Sequence, residues 1–167
     1  MPQLNVPQVA GAAGGVGTST IAAALRAGDC GICRGGSPVD VMVCRSTLYS
    51  VGCAQRAIGA APRPPLLAVV ADTLSGLGSN TKSRLRMTEP YVQGIVVVPF
   101  VHEWRDTDLP YDQARDVLAV EGAKHLRAFT DAVEQLVEHL LSACERAAST
   151  REPVSAFASL HRPPAYP

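Results

Sequence analysis

A run of glycines and small hydroxyl residues, GAAGGVGTST at Gly11–Thr20, constrains this chain more than any other feature. It follows an apolar stretch that ends at Ala10 and precedes a helix-forming run, IAAAL. Glycine tolerates the left-handed backbone that a tight curl requires, so Gly14, Gly15 and Gly17 are expected to fold the chain back sharply. Successive N–H groups in such a curl point inward as a nest for an anion, and a helix starting there adds the positive end of its dipole. Thr18, Ser19 and Thr20 are expected to cap that helix, with one hydroxyl free to reach a metal ion. This strand–loop–helix unit predicts a phosphate site on Gly14, Gly15, Val16, Gly17, Thr18, Ser19 and Thr20.

The rest of the chain supports an α/β layout. Val39–Cys44, Leu66–Ala71 and Gly94–Pro99 are apolar runs without polar alternation, as expected of parallel strands covered on both faces. Leu4–Ala10 is a further strand, either short or starting at Pro7, because proline cannot donate to a ladder. Helices are expected at Thr18–Ala27, Thr47–Ile58, near Lys82–Thr88 and at Ala123–Ala147. In the last, Leu126, Phe129, Val133, Leu136, Val137, Leu140 and Cys144 fall at three- and four-residue spacings. That single apolar stripe suits packing on a sheet, with a dimerisation helix as the alternative. Gly28–Pro38 reads as a connection and Thr73–Thr81 as a polar loop. The 167 residues suit one domain burying roughly 70% of its unfolded surface. The expected organisation is a single domain over 1–148 and a mobile Pro- and Ser-rich tail over 149–167. The expected fold is a three-layer, P-loop NTPase-like α/β domain. It has a short, mainly parallel sheet, helices on both faces and a long C-terminal helix.

Composition excludes several function classes. Fifteen basic and fifteen acidic side chains cancel, which removes the electrostatic footprint of a nucleic-acid or anionic-membrane binder. No run reaches the ~18 apolar residues of a membrane span, and the start, MPQLNVPQ, lacks the regions of a signal peptide. A cytoplasmic protein without an integral membrane segment is expected. Scarcity of lysine and abundance of alanine point to a bacterial source. Of five cysteines, Cys30 and Cys33 form a CxxC, Cys44, Cys53 and Cys144 are scattered, and no histidine precedes His102. That is not the spacing of a zinc site, so free thiols and no metal are expected. No GxSxG elbow occurs. The most polar stretch, His102–Asp108, follows the last strand, where α/β folds place ligand sites. Its neighbours His102 and Glu103 would face opposite ways in an extended segment. A solvated loop is expected there, with Trp104 anchored onto the sheet edge; an enzyme of unrelated chemistry is the alternative.

The common phosphate-loop pattern, GxxxxGK[ST], places lysine directly after its last glycine, and Thr18 stands there. A charge-assisted hydrogen bond contributes ~1.5–3 kcal/mol, so its loss lowers phosphate affinity by roughly one to two orders of magnitude. So spelled, Ala13–Thr20 resembles the KGGVGK[ST][ST] loop of the deviant-Walker ATPases, the ParA-like, MinD-like and pilus-assembly or localisation proteins. It resembles the pilus-assembly and localisation branch most, where loops of the GGVGTST kind occur. The resemblance places the family's signature lysine at Ala13, its loop lysine at Thr18 and its metal-binding hydroxyl at Ser19. VDVMVCRST, LLAVVADT and GIVVVPF resemble later strands of the family in pattern, which puts Asp72 and Pro99 near the nucleotide base.

The departures are large. Between the loop helix and Val39 the family holds a strand, a second strand ending in a Walker B aspartate, and a switch loop; the interval here leaves no room for them. Asp29 and Asp40 are its only acids, and Asp40 opens a strand instead of closing one. Phosphoryl transfer depends almost wholly on positioning and on charge stabilisation. The resemblance therefore implies a pseudo-ATPase, with no catalytic residues, that acts as a scaffold or localisation factor. It would work through a protein partner or homo-oligomer and retain weak binding of a phosphate or nucleotide, ATP or ADP with magnesium. The alternative is an ATP-dependent switch in which Thr18 and backbone amides suffice.

Overall fold

The computed structural model describes residues 6–108, 110–119 and 123–149. Five parallel strands form one sheet: β1 (Gln8–Gly11), β2 (Gly28–Ile32), β3 (Val41–Arg45), β4 (Leu66–Val70) and β5 (Ile95–Val98), in the order β2-β1-β3-β4-β5. Around it lie α1 (Thr18–Leu25), α2 (Leu48–Gly59), α3 (Ser79–Thr88), α4 (Pro110–Asp116) and α5 (Arg127–Ser149). The chain steps from β1 to one side for β2, then returns to the other side for β3 and moves outward. Parallel crossovers are right-handed, so α1 falls on one face of the sheet while α2 and α3 fall on the other. The same strand order occurs in flavodoxin-type doubly wound sheets, where the reversal opens a crevice outside the carboxyl ends of the strands.

Packing follows the pleat. Val41 and Val43 of β3, with Leu66 and Ala68 of β4, face the α1 side, while Met42, Cys44, Leu67 and Val69 face α2 and α3. The central strands are dry on both faces, which is why they are spelled as continuous apolar runs. Helix α1 is too short to cover its face alone. The chain returns after β5 to complete it: Phe129, Ala132, Val133 and Leu136 of α5 join the core of Val96, Val98 and Ala68, and α4 adds the buried Ala114. On the opposite face, the Thr47 hydroxyl accepts from the Ser50 N–H at 3.2 Å and so starts α2, a side-chain cap of about 1 kcal/mol.

Two elements differ from the sequence reading. Gly28–Pro38, expected as a connection, contains β2, so the interval does hold a strand. Helix α1 ends at Leu25 because Arg26 adopts a left-handed conformation, φ 49°. The Arg26 N–H then bonds to Ala23 O at 3.1 Å and the Ala27 N–H to Ala22 O at 2.9 Å, a Schellman ending. It reverses the chain within two residues, and the Gly28 N–H reaches Pro7 O at 2.8 Å to begin the ladder. The second unpredicted element is α4. Strand β1 begins at Gln8, directly after Pro7, and α5 is preceded by a separate 3-10 turn at Lys124–Leu126. The first residues of the strand expected from Leu4, and residues 150–167 of the expected tail, lie outside the described residues. Among the described residues no helix is long and apolar enough to cross a membrane.

Candidate functional site

The glycine-rich loop leaves β1 at Gly11 and enters α1 at Thr18, at the carboxyl end of the sheet. Gly15 and Gly17 have φ of 69° and 97°, the left-handed backbone that favours glycine. Gly14, expected to share that role, lacks a positive φ, and a Cβ there would meet only Ile32 at 3.7 Å. Gly11 matters in a way that spacing did not reveal. A Cβ at Gly11 would run into Thr18 Oγ1 and would stand 2.9 Å from Val16 Cγ2 and 3.0 Å from Ala13 O. Val16 is buried and plugs the underside of the loop.

The hydroxyls do not cap α1 as expected. Gly17 is the N-cap and makes no side-chain cap bond. The N–H groups of Gly14, Gly15, Gly17, Thr18, Ser19 and Thr20 have no acceptor among the described residues. They border a cavity of about 460 Å³ walled by Ala13–Thr20, Asp29, Arg45 and Tyr111, among others. All seven loop residues predicted for phosphate line it. Open amides at a helix start make a nest suited to an anion.

Three polar side chains from other elements join the loop, and sequence reasoning assigned none of them to it. Tyr111 comes from α4. Asp29 comes from β2: its Oδ2 accepts from Ser19 Oγ at 2.6 Å and its Oδ1 from the Gly31 N–H at 2.8 Å. An acid therefore does stand beside the loop hydroxyl, supplied by the strand that the sequence concealed. Asp40, by contrast, lies at the amino end of β3, bonded to the Gln8 N–H and to Arg63. Magnesium keeps several waters and takes one or two carboxylates plus phosphate oxygens; Ser19 with Asp29 offers that kind of donor set. Among the described residues no group of three or more His, Cys, Asp and Glu gathers as a metal cage.

Arg45, the last residue of β3, reaches over the loop from the other side. Its Nε and Nη2 donate to Gly15 O at 2.9 and 2.8 Å, and its Nη1 to Asp72 Oδ1 at 2.8 Å. Asp72 Oδ2 accepts from Ser46 Oγ at 3.0 Å. Asp72, expected near a base, is thus engaged with Arg45 and Ser46 and lines neither this cavity nor the next. Pro99 does line a second, more apolar cavity of about 220 Å³ at the carboxyl ends of β4 and β5, with Val70, Phe100, Trp104 and Phe129. The two cavities share Gly17, Thr20 and Arg45.

His102–Asp106 forms a 3-10 turn instead of an open loop. Its anchor, Trp104, packs edge-on against Phe129 of α5, ring centroids 4.8 Å apart, and its Nε1 donates to Gln113 at 2.8 Å. Trp104 thus seats against α4 and α5, and it also walls the cavity at the carboxyl ends of β4 and β5. His102 and Glu103 are exposed. Cys44 is buried in β3, and burial, with Asp72 and Cys53 nearby, pushes its thiol up to about 12. It is a core residue held in its unreactive form. Cys30 is exposed and donates to Gln8 Oε1 at 3.1 Å, and Cys33 packs beside the α2-side core.

No protein-family model, no curated protein and no solved structure matches this chain.

Proposed function

We propose that this protein is a ParA/MinD-type P-loop relative that binds phosphate or a nucleotide weakly, does not hydrolyse it, and acts through protein contacts as a scaffold or localisation factor. The observation that carries the reading is the Gly11–Thr20 loop. It combines left-handed Gly15 and Gly17, a helix start without a side-chain cap, and open amides around one cavity. A nest of this kind holds phosphate by backbone dipoles. Hydrolysis asks for more, since the transferring group's charge must be neutralised by cations and metal placed in line. Neither lysine position of the resembling loop carries charge, because Ala13 and Thr18 stand there.

One observation favours the second reading, a nucleotide-dependent switch. Asp29 hydrogen-bonds the Ser19 hydroxyl, and together they would hold a magnesium ion once phosphate oxygens complete its shell. The ion would supply positive charge opposite the phosphate. The chain's own part is to orient Ser19 through Asp29 and to present the amides. The third reading, unrelated chemistry at His102–Asp108, rests on exposed His102 and Glu103 on one 3-10 turn.

Isothermal titration with ATP, ADP and GTP, with and without magnesium, separates these readings. Non-hydrolysing phosphate binding predicts weak, measurable heats that Gly17→Val abolishes, because valine cannot adopt φ 97°. Magnesium-dependent tightening together with phosphate release would establish the switch instead. Turnover lost in His102→Ala and retained in Gly17→Val would move the site to the 3-10 turn.

A further inference from the structure

We propose that Arg45 replaces the missing loop lysine, so that the cavity takes an anionic phosphate group through a guanidinium supplied by the neighbouring strand. This rests on the reading that the loop binds phosphate, and adds which cation receives it. Among the described residues lining the loop cavity, Arg45 is the sole cationic side chain. It also lines the adjoining apolar cavity, so the guanidinium stands at the junction of the two spaces.

Its contacts are those of a positioned group. The Arg45 N–H donates to Ser50 Oγ at 2.9 Å, which fixes the backbone. Nη1 is held by Asp72, and Asp72 in turn by the Ser46 hydroxyl and its own N–H on Ser46 Oγ. With the plane set, the remaining edge, Nε and Nη2, presents two parallel donors. Both now converge on one neutral oxygen, Gly15 O. A phosphate in the nest offers two anionic oxygens to the same fork, a match of geometry and charge that a single carbonyl lacks. The ion pair with Asp72 is partly solvent-exposed, 42% and 26% for the two side chains, and such pairs add little to stability. The ion pair's own stability therefore does not explain why the fork is held over the loop, while recognition of an anion accounts for it. The ligand class follows from the two spaces: a phosphate on the loop, joined through the Arg45 junction to an apolar or aromatic moiety beside Pro99, Phe100 and Trp104.

The test is isothermal titration of the full chain with pyrophosphate and with ADP, for wild type, Arg45→Gln and Arg45→Lys, alongside thermal melts. Arg45→Gln is expected to weaken pyrophosphate binding about ten- to hundredfold, the loss of a charge-assisted fork, with a melt close to wild type. Arg45→Lys keeps the charge and loses the fork, so an intermediate loss is expected. ADP binding tighter than pyrophosphate supports the second space as the seat of the organic moiety. Equal pyrophosphate affinity in wild type and folded Arg45→Gln overturns the assignment of Arg45 and leaves the loop reading standing. If Arg45→Gln does not fold, Arg45→Lys with wild-type affinity overturns it equally. A wild type that binds neither probe overturns the loop reading and this inference together.

Discussion

Replacing Gly11 by alanine tests whether the loop closes as described. The new methyl would meet three groups: Thr18 Oγ1, Val16 Cγ2 at 2.9 Å and Ala13 O at 3.0 Å. Gly11 lacks a positive φ, so the cost is steric and not torsional. Thr18 can rotate its hydroxyl away. Val16, 3% exposed and wedged in the core, and the Ala13 carbonyl can yield only if the loop backbone moves. The Gly11 carbonyl is also pinned, accepting from the Cys33 N–H at 2.8 Å. Overpacking of this kind costs about 1–3 kcal/mol, and two unyielding contacts of three place Gly11→Ala near the top of that range. In urea, with a slope of roughly 1–3 kcal/mol per molar, the midpoint should fall by about 1–3 M at constant slope. Val16→Ala removes one of the two unyielding contacts, so the double variant should recover about 1 kcal/mol relative to additivity. A wild-type midpoint for Gly11→Ala, or strict additivity with Val16→Ala, would refute the close approach of strand end and loop on which the cavity depends.

The remaining predictions address the frame around the loop. Arg26→Gly should stabilise the protein by about 0.5–1 kcal/mol in chemical denaturation, because it relieves a non-glycine left-handed residue at the end of α1; a loss of stability would count against that turn. Cys44 titrates at about 12 in the fold, against 9.0 for an unperturbed thiol. Its contribution to stability is therefore full below pH 9 and is lost as pH rises towards 12. At pH 10 wild type should have given up about 1–2 kcal/mol more than Cys44→Ala, each relative to its own value at pH 7, and parallel pH–stability curves would contradict this. Phe129→Ala should cost about 3–5 kcal/mol and shift the emission of the single tryptophan, Trp104, to the red, since Phe129 packs on its ring.

What the sequence disclosed of the fold tracks how each element is held. β3 and β4 were legible to within two residues because both faces are buried, and burial writes an unbroken apolar run. Helix α5 was legible from the stripe that places Phe129, Val133 and Leu136 against the sheet. β2 was not. Its sequence, GDCGI, is exposed from Asp29 onward, because it is an edge strand held by main-chain bonds to β1. Two glycines and an aspartate are depleted in strands, and a strand that buries almost no side chains leaves no periodicity to detect. Helix α4 escaped for a related reason: it is seven residues long and buries one residue, Ala114.

The illegibility of β2 has a direct consequence for the site. In sequence, the loop carries two deficits: no lysine and no acid in reach. Both are statements about distance along the chain, whereas a parallel sheet brings groups together across it. The order β2-β1-β3 sets one strand on each side of the loop-bearing β1, and each delivers a charged side chain to it: Asp29 onto Ser19 from β2, and Arg45 onto Gly15 from β3. Arg45 was within reach of sequence reasoning, since a cation closing an apolar strand stands at the end where doubly wound folds bind ligands. Asp29 was not, because its relevance depends on a strand register that only the ladder with β1 defines. The missing lysine is therefore to be weighed together with the two charged neighbours that the sheet brings to the loop. Double substitution, Arg45→Gln with Asp29→Asn, is the variant in which the loop loses both charged neighbours and keeps its backbone and hydroxyls. If that variant and each single one still bind pyrophosphate as wild type does, the amide nest suffices and both side chains are structural. If binding vanishes while the fold persists, the site is built from three strands and not from one motif.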